Sequence, residues 1–353
     1  MFKIGLFTLS IISAFICSHV KADDDAVVSL FEGTSEAKVE NAEEDEGGLF
    51  SFLNFKAPSI KPKTDKDAPK TIEDTIKLAD KGNLEAQLLL GYSYLYGDNG
   101  LKVDYEKAFE YYGMAALQND PTGLNNLGSL YYGGVGVKRN SAKAAILFSK
   151  AAEQGNAEAA VNLGFIHISG NGAIQDQALA LKYFEQASSS DNPAAKFMTG
   201  YAYYTGTLRP VDRIKAAPMI KAAADAGFDE AQVVLADIYI NGYGFPQNYN
   251  NAVKYLQMSA SQGNTDAMMQ LADILAAGEK YNKDIEFAHV LYNLASVRGV
   301  AEASARRQQV EGKMKINDIL QAQLRAENFQ DKPTAITSYI RQTYGENVHK
   351  FIR

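Results

Sequence analysis

GLNNLGSLYYGGVGVKRNSAKAAILFSKAAEQGN, residues 123–156, reads as two helices joined by a glycine-rich turn. Its first half follows the pattern small-x-x-x-L-G-x-x-Y-x-x-G through Leu127, Gly128, Tyr131 and Gly134. Its second half is alanine-rich from Ala144 and closes on Gly155. That closing residue returns on a clock. Gly82, Asn119, Gly155, Asp191, Gly227, Gly263 and Gly299 are spaced by 37 residues once and then by 36 five times. A fixed period in this range signals stacked supersecondary units, each too small to bury its apolar face alone. The fold class is therefore all-α, a solenoid of helix pairs.

The same template ends at Gly97, Gly134, Gly170, Gly206, Gly242 and Gly278. Ala86, Leu90 and Tyr94 are four apart and share one helix face. In the second helix of that unit, Phe109, Tyr112 and Ala116 predict an apolar stripe. Two glycine phases carry different expectations. Gly155 and Gly263 suit the left-handed position that ends a helix, and Asn119 and Asp191 tolerate it at higher cost. Gly91, Gly128, Gly164 and Gly200 fall mid-helix, where glycine costs about 1 kcal/mol against alanine. Their recurrence predicts close helix–helix approach, with Ala236 and Ala272 taking the same place later. Gly134-Val135-Gly136-Val137 lacks the lysine and hydroxyl residue of a phosphate loop. With Gly170-Asn171-Gly172 and Gly242-Tyr243-Gly244 at the same phase, it reads as a turn within a repeat.

Leu127, Gly128, Tyr131, Gly134, Gly136, Val137, Lys143, Ala144, Phe148, Ala151, Ala152, Gly155 and Asn156 together resemble the Sel-1-like repeat family. This family is related to the tetratricopeptide repeat, and the resemblance spans about residues 72–299. It implies a right-handed superhelix of antiparallel helix pairs, about six repeats behind a leading helix, and a scaffold or adaptor role. Departures concentrate in the fourth unit. There Thr199 replaces leucine, the turn Gly206-Thr207-Leu208-Arg209-Pro210 lacks its second glycine, and Pro218 falls inside the following helix. Such a proline removes a hydrogen bond and predicts a kink. Elsewhere His167 and Leu275 replace the template tyrosine.

The chain opens MFKIGLFTLSIISAFICSHVKADDD. Lys3 precedes an apolar run from Ile4 to Cys17 that is short for a spanning helix. With Val20-Lys21-Ala22 it reads as a secretory signal cleaved after Ala22. Lipidation of Cys17 is the alternative, although Ile16 stands where a small residue is wanted. Cys17 is the only cysteine, so no disulfide framework exists. Residues 23–48 carry ten acids against Lys38, a composition that cannot order itself by burial. The whole chain is −7, and the acidity belongs to this arm; the remainder from residue 49 sums to zero. No basic surface dominates, which argues against a nucleic-acid partner. An apolar patch with Phe50, Phe52 and Phe55 follows, and then a Lys/Pro linker to residue 71. The patch either docks as a cap on the first repeat or serves as a partner or membrane contact.

Residues 300–353 read as capping helices. Two segments with a break near Lys315 expose an apolar face of Met314, Ile316, Ile319 and Leu320 to the stack, a short coiled coil being the alternative. A last helix is expected from Pro333, with Ile336, Ile340 and Tyr344 four apart and Arg341, Lys350 and Arg353 alongside. It either caps the stack or clasps the acidic arm or another anionic surface.

Chemistry is hard to place. His19, His167, His289 and His349 show no metal spacing, and no nucleophile or paired-carboxylate motif stands out. No catalytic residue, cofactor or metal is expected. The positions three before, one after and four after each template glycine form a second stripe. In a helix-pair solenoid it would line the concave face or pack between repeats. Its aromatics, Tyr92, Tyr132, Phe165, Phe197, Tyr201 and Tyr204, are the candidate partner contacts, with Phe197, Tyr201 and Tyr204 the densest cluster. The signal and the resemblance together imply an exported, non-enzymatic scaffold in a bacterial envelope, supporting envelope assembly or virulence and intracellular growth in a host. The expected partner is an envelope or outer-membrane protein, of the OmpA type for instance, or a host protein; any membrane association would be peripheral. A recruiter of a peptidoglycan-remodelling enzyme is the second reading.

Overall fold

The clock residues, and the residues that follow them, set the helix boundaries. The computed structural model describes residues 71–190, 192–338, 340, 341 and 348; it delimits fifteen helices and no strand among them. The chain divides into two compact units, Met1–Ala187 and Ser188–Arg353. The signal segment, the acidic arm, Phe50, Phe52, Phe55, Asp191, Tyr344, His349, Lys350 and Arg353 lie outside the described residues.

The first unit runs α1 (Ile72–Asp80), α2 (Leu84–Tyr96), α3 (Tyr105–Leu117), α4 (Pro121–Gly133), α5 (Ser141–Glu153), α6 (Ala157–Ser169) and α7 (Gln177–Ser188). Helices α2, α4 and α6 open on Asn83, Asp120 and Asn156, whose side chains accept the N–H three residues on at 2.8, 2.7 and 2.9 Å. Each such cap is worth about 1 kcal/mol. These helices close on Gly97, Gly134 and Gly170 in the left-handed conformation. The second helix of each pair opens on Asp104, Asn140 or Asp176 in the same manner. It ends at the clock position: Gly155 N–H donates to the Ala152 carbonyl and Asn156 N–H to that of Ala151, at 2.9 and 3.0 Å. That paired closure needs a left-handed residue. Gly155 supplies it at φ 86°, and Asn119 at φ 57°.

Mid-helix glycines let the pairs touch, as expected. A Cβ on Gly91 would stand 2.7 Å from the Tyr112 ring, and one on Gly164 2.5 Å from that of Phe184. Turn glycines do something further. A side chain on Gly136 would strike the Tyr105 carbonyl, and one on Gly172 that of Ser141, so each turn lies against the second helix of the preceding repeat. Side-chain amides add a polar seam between repeats. Gln118 donates to the Gly82 carbonyl and Gln87 at 3.1 and 2.7 Å, and Gln154 donates to Asn119 at 3.2 Å. The buried stripe of α3 is Ala108, Tyr111, Tyr112, Ala115 and Ala116. Phe109 is only half-buried, set edge-on to Tyr131 at its margin.

The second unit holds α8 (Pro193–Thr205), α9 (Arg213–Asp225), α10 (Asp229–Asn241), α11 (Tyr249–Ser261), α12 (Thr265–Ala277), α13 (Ile285–Val297), α14 (Ala303–Glu311) and α15 (Ile316–Glu327). Pro218 does not interrupt α9. It and Ile214, whose carbonyl loses its donor, are both exposed residues, so the helix keeps its course with the proline on its solvent side. The irregularity of this repeat lies in its turn instead. Leu208 stands in the phase of Gly136, Gly172 and Gly244 and adopts φ 61°, at a cost of roughly 1–2 kcal/mol for an L-residue with a side chain.

Helix α10 alone among the first helices begins on an apolar residue, Phe228, with no side-chain cap. The C-terminal segment supplies one. The Thr337 hydroxyl accepts the Asp229 N–H at 3.1 Å and donates to the Gly227 carbonyl at 3.0 Å. Thr334 donates its hydroxyl to that carbonyl at 2.9 Å and its N–H to Gln262 at 3.0 Å. Arg341 pairs with the fully buried Asp229 and donates to the Gln262 carbonyl at 3.0 Å. Thus Thr334, not Pro333, caps the last helical turn, and Arg341 is engaged within the unit rather than held out for an anionic arm. The helical break at Lys315 is present. The face of α15 differs from expectation: Ala322 and Ala326 are buried, while Ile316 and Leu320 are exposed. Small residues let α15 approach α13 closely, which turns the larger aliphatics outward.

Candidate partner-binding faces

The aromatic stripe divides by depth. In the first unit, Leu88, Leu95, Val161 and Ile168 are buried. Phe165 is buried with them, edge-on to Phe184 at 5.1 Å. That is the ring lying over Gly164, so Phe165 packs the repeat and offers nothing to a partner. Tyr92 and Tyr132 remain half-buried. Tyr92 leans on Tyr96 at 4.8 Å, and the Arg139 guanidinium lies 5.6 Å from the Tyr132 ring.

In the second unit, Phe197 is 0% exposed, enclosed by Phe228 at 4.9 Å and Tyr201 at 5.6 Å. It too is a packing residue. Tyr201 and Tyr204 are half-buried, one turn apart on α8. The Tyr204 hydroxyl donates to Asp237, and burial first, then this carboxylate, hold its pKa well above the ordinary tyrosine range. Asp237 sits one residue past Ala236. At the same phase in the next repeat, Asp273 accepts from the Tyr292 hydroxyl at 2.6 Å and pairs with Arg306. The carboxylates of the stripe therefore orient neighbouring tyrosines.

Sequence reasoning missed two partners of this cluster and a neighbouring cation-bearing tyrosine. Tyr243, in the Gly-Tyr-Gly turn, lies 6.4 Å from Tyr204. Arg213 lies over both rings, 4.3 Å from Tyr243 and 5.7 Å from Tyr204. Tyr203 carries Arg209 at 4.1 Å and Lys215 at 4.2 Å. The available signal was the cation spacing in the glycine-poor turn of the fourth repeat. A separate open groove of about 530 Å³ runs beside Ser261, Leu324, Arg325, Phe329 and Lys332.

The two described histidines pack within the repeats. His167 stands in the tyrosine phase, stacked on Tyr183 at 5.7 Å, with Nδ1 2.9 Å from the Ile174 carbonyl. His289 is fully buried with Nε2 2.8 Å from Glu311. Among the described residues, no group of three His, Cys, Asp or Glu side chains is placed to hold a metal ion, and no helix is long and apolar enough to cross a membrane.

The repeats so built match the model of the Sel1 repeat at residues 84–120, 121–156, 157–192, 193–228, 229–264 and 265–299. The chain belongs to the Sel1 repeat family. Its fold is similar to that of a protective antigen present in uropathogenic Escherichia coli strains, described as displaying an SLR fold. The TM-score is 0.56 at 23% identity, over 76% of this chain and 65% of that one. It is similar also to a Sel1 repeat protein from Oxalobacter formigenes, with a TM-score of 0.52 at 23% identity, over 78% of this chain and 97% of that one. This chain thus spans a little under two thirds of the length of the first of these relatives. No curated protein matches it.

Proposed function

We propose that this chain is a non-enzymatic scaffold of a bacterial envelope, exported by its N-terminal signal, that holds a protein partner on the half-exposed tyrosines of its first helices. The observation that carries this is the cluster of Tyr201, Tyr204 and Tyr243. Its rings are part-exposed, yet fixed by Asp237 and Arg213. Rigid aromatics of this kind bind at small entropic cost. Tyr92 and Tyr132 form a second candidate face in the first unit. A contribution to virulence or intracellular growth would follow from the partner.

A photo-crosslinker at position 201, used in the native cells, tests the reading. Capture of an outer-membrane or host protein, lost on Tyr204→Ser, supports it. Capture of a wall hydrolase favours recruitment of a peptidoglycan-remodelling enzyme. Capture that is unchanged in a folded Tyr204→Ser chain refutes this face as the site.

A further inference from the structure

The turn of the fourth repeat exposes three large aliphatic side chains within seven residues: Leu208 at 50%, Val211 at 52% and Ile214 at 78%. The second, third and fifth repeats carry a glycine where Leu208 stands, Gly136, Gly172 and Gly244, and the first carries Asn99. Here the backbone adopts a left-handed conformation at a leucine, an unfavourable arrangement that presents an apolar side chain to water. Strain of this kind at a surface turn points to use.

Three cations share this segment with the aliphatics. Arg209 and Lys215 both lie over the Tyr203 ring, at 4.1 and 4.2 Å, and Arg213 lies 4.3 Å from the ring of Tyr243. The tyrosines hold the charges in place and are themselves half-buried. Asp212, within the segment, and Asp237, against Tyr204, are both engaged. Asp212 caps α9 by accepting the Lys215 N–H at 3.0 Å, and Asp237 accepts from Tyr204 and Asn241. The corner therefore displays fixed positive charge around projecting aliphatic groups, with tyrosines at its base.

We propose that this corner is a peripheral contact for an anionic lipid surface. Aliphatic side chains that reach the acyl boundary, arginine and lysine at the phosphates and tyrosine between them are the composition such an interface selects. Charge complementarity favours anionic over zwitterionic headgroups. Single projecting side chains need no pocket in a fluid surface. Arg213 is shared with the partner face at Tyr204 and Tyr243, whereas Lys215, Val211 and Ile214 belong to this corner alone.

The chain has no tryptophan, so Ile214→Trp installs a unique probe. The full chain should co-sediment with phosphatidylglycerol/phosphatidylcholine vesicles and not with phosphatidylcholine alone. The tryptophan emission should then shift to the blue. Arg213→Gln with Lys215→Gln should weaken vesicle binding by about 25-fold, about fivefold per cation. Val211→Ser with Ile214→Ser should weaken it comparably, with circular dichroism unchanged. Equal sedimentation of both double variants and the parent would overturn the proposal and place lipid binding elsewhere in the chain. Loss on removing the cations alone, with no blue shift and no effect of the serines, would also overturn it in favour of a soluble acidic ligand.

Discussion

Replacing Thr337 with valine keeps the shape of a fully buried side chain and removes one hydroxyl. That hydroxyl caps a helix whose first residue lies 108 positions earlier in the chain. Without it, the Asp229 N–H is buried with no acceptor. A lost N-cap costs about 1 kcal/mol, and an unsatisfied buried donor brings the total nearer 2 kcal/mol. The Gly227 carbonyl adds little, since Thr334 and Gln262 still donate to it. Near its midpoint a unit of this size loses roughly 2–4 °C per kcal/mol, so Thr337→Val should lower the second unit's melting temperature by about 4–8 °C. Hydrogen exchange gives the more specific assay. Protection should fall at the first amides of α10 and remain at those of α6, which has its own cap in Asn156. A loss below about 0.5 kcal/mol, or unchanged protection at Asp229, would refute the claim that the tail is a helix cap supplied from a distance.

Three further outcomes follow from named contacts. Burial, with Asp229 and Asp266 nearby, pushes the Glu230 carboxyl up from 4.5 to about 7. Its ionisation therefore destabilises the fold progressively between those values. Glu230→Gln should be neutral at pH 4 and stabilising by up to about 3 kcal/mol at pH 8, read by urea titration across that range; a pH-independent difference would contradict the assignment. Gly164→Ala forces a methyl into the Phe184 ring and should cost about 1–3 kcal/mol, whereas the same change in a helix with room would stabilise it. Leu208→Gly relieves the left-handed leucine and, after the entropy that glycine loses on folding, should raise stability by about 0.5–1 kcal/mol in thermal unfolding.

Period and glycine phase were legible because they are local and repeated. The clock places Gly155 after a helix in every register, and Gly164 faces Phe184 by the geometry of one pair. The caps were legible too, in the Asn or Asp after every clock residue except Gly227 and Gly299. Burial along the aromatic stripe was not legible. Phe197 and Tyr201 are four apart and share a phase, but Phe228 from the next repeat closes over the first and leaves the second half open. The face of α15 was misjudged for a related reason: large aliphatics predict contact by hydrophobicity, whereas Ala322 and Ala326 make contact by being small. Docking of the tail at Gly227 had no sequence signal beyond Phe228 standing where asparagine is usual. A missing cap says that something must satisfy the amide, and does not say what.

The tail's grip on Gly227 and Gln262 also sets a limit on how the gene can change. Arrays of this kind grow and shrink by gain or loss of whole units, and in the first unit nothing described depends on the number present. In the second, the segment that leaves α15 must return to a turn lying two repeat lengths before Gly299. One more unit inserted between those points would carry the chain's end a full repeat beyond its docking place. Loss of the unit at 229–264 would remove Gln262, which receives it. The end of the chain therefore acts as a ruler, and the copy number of these last repeats is fixed by a threonine and an arginine that belong to none of them.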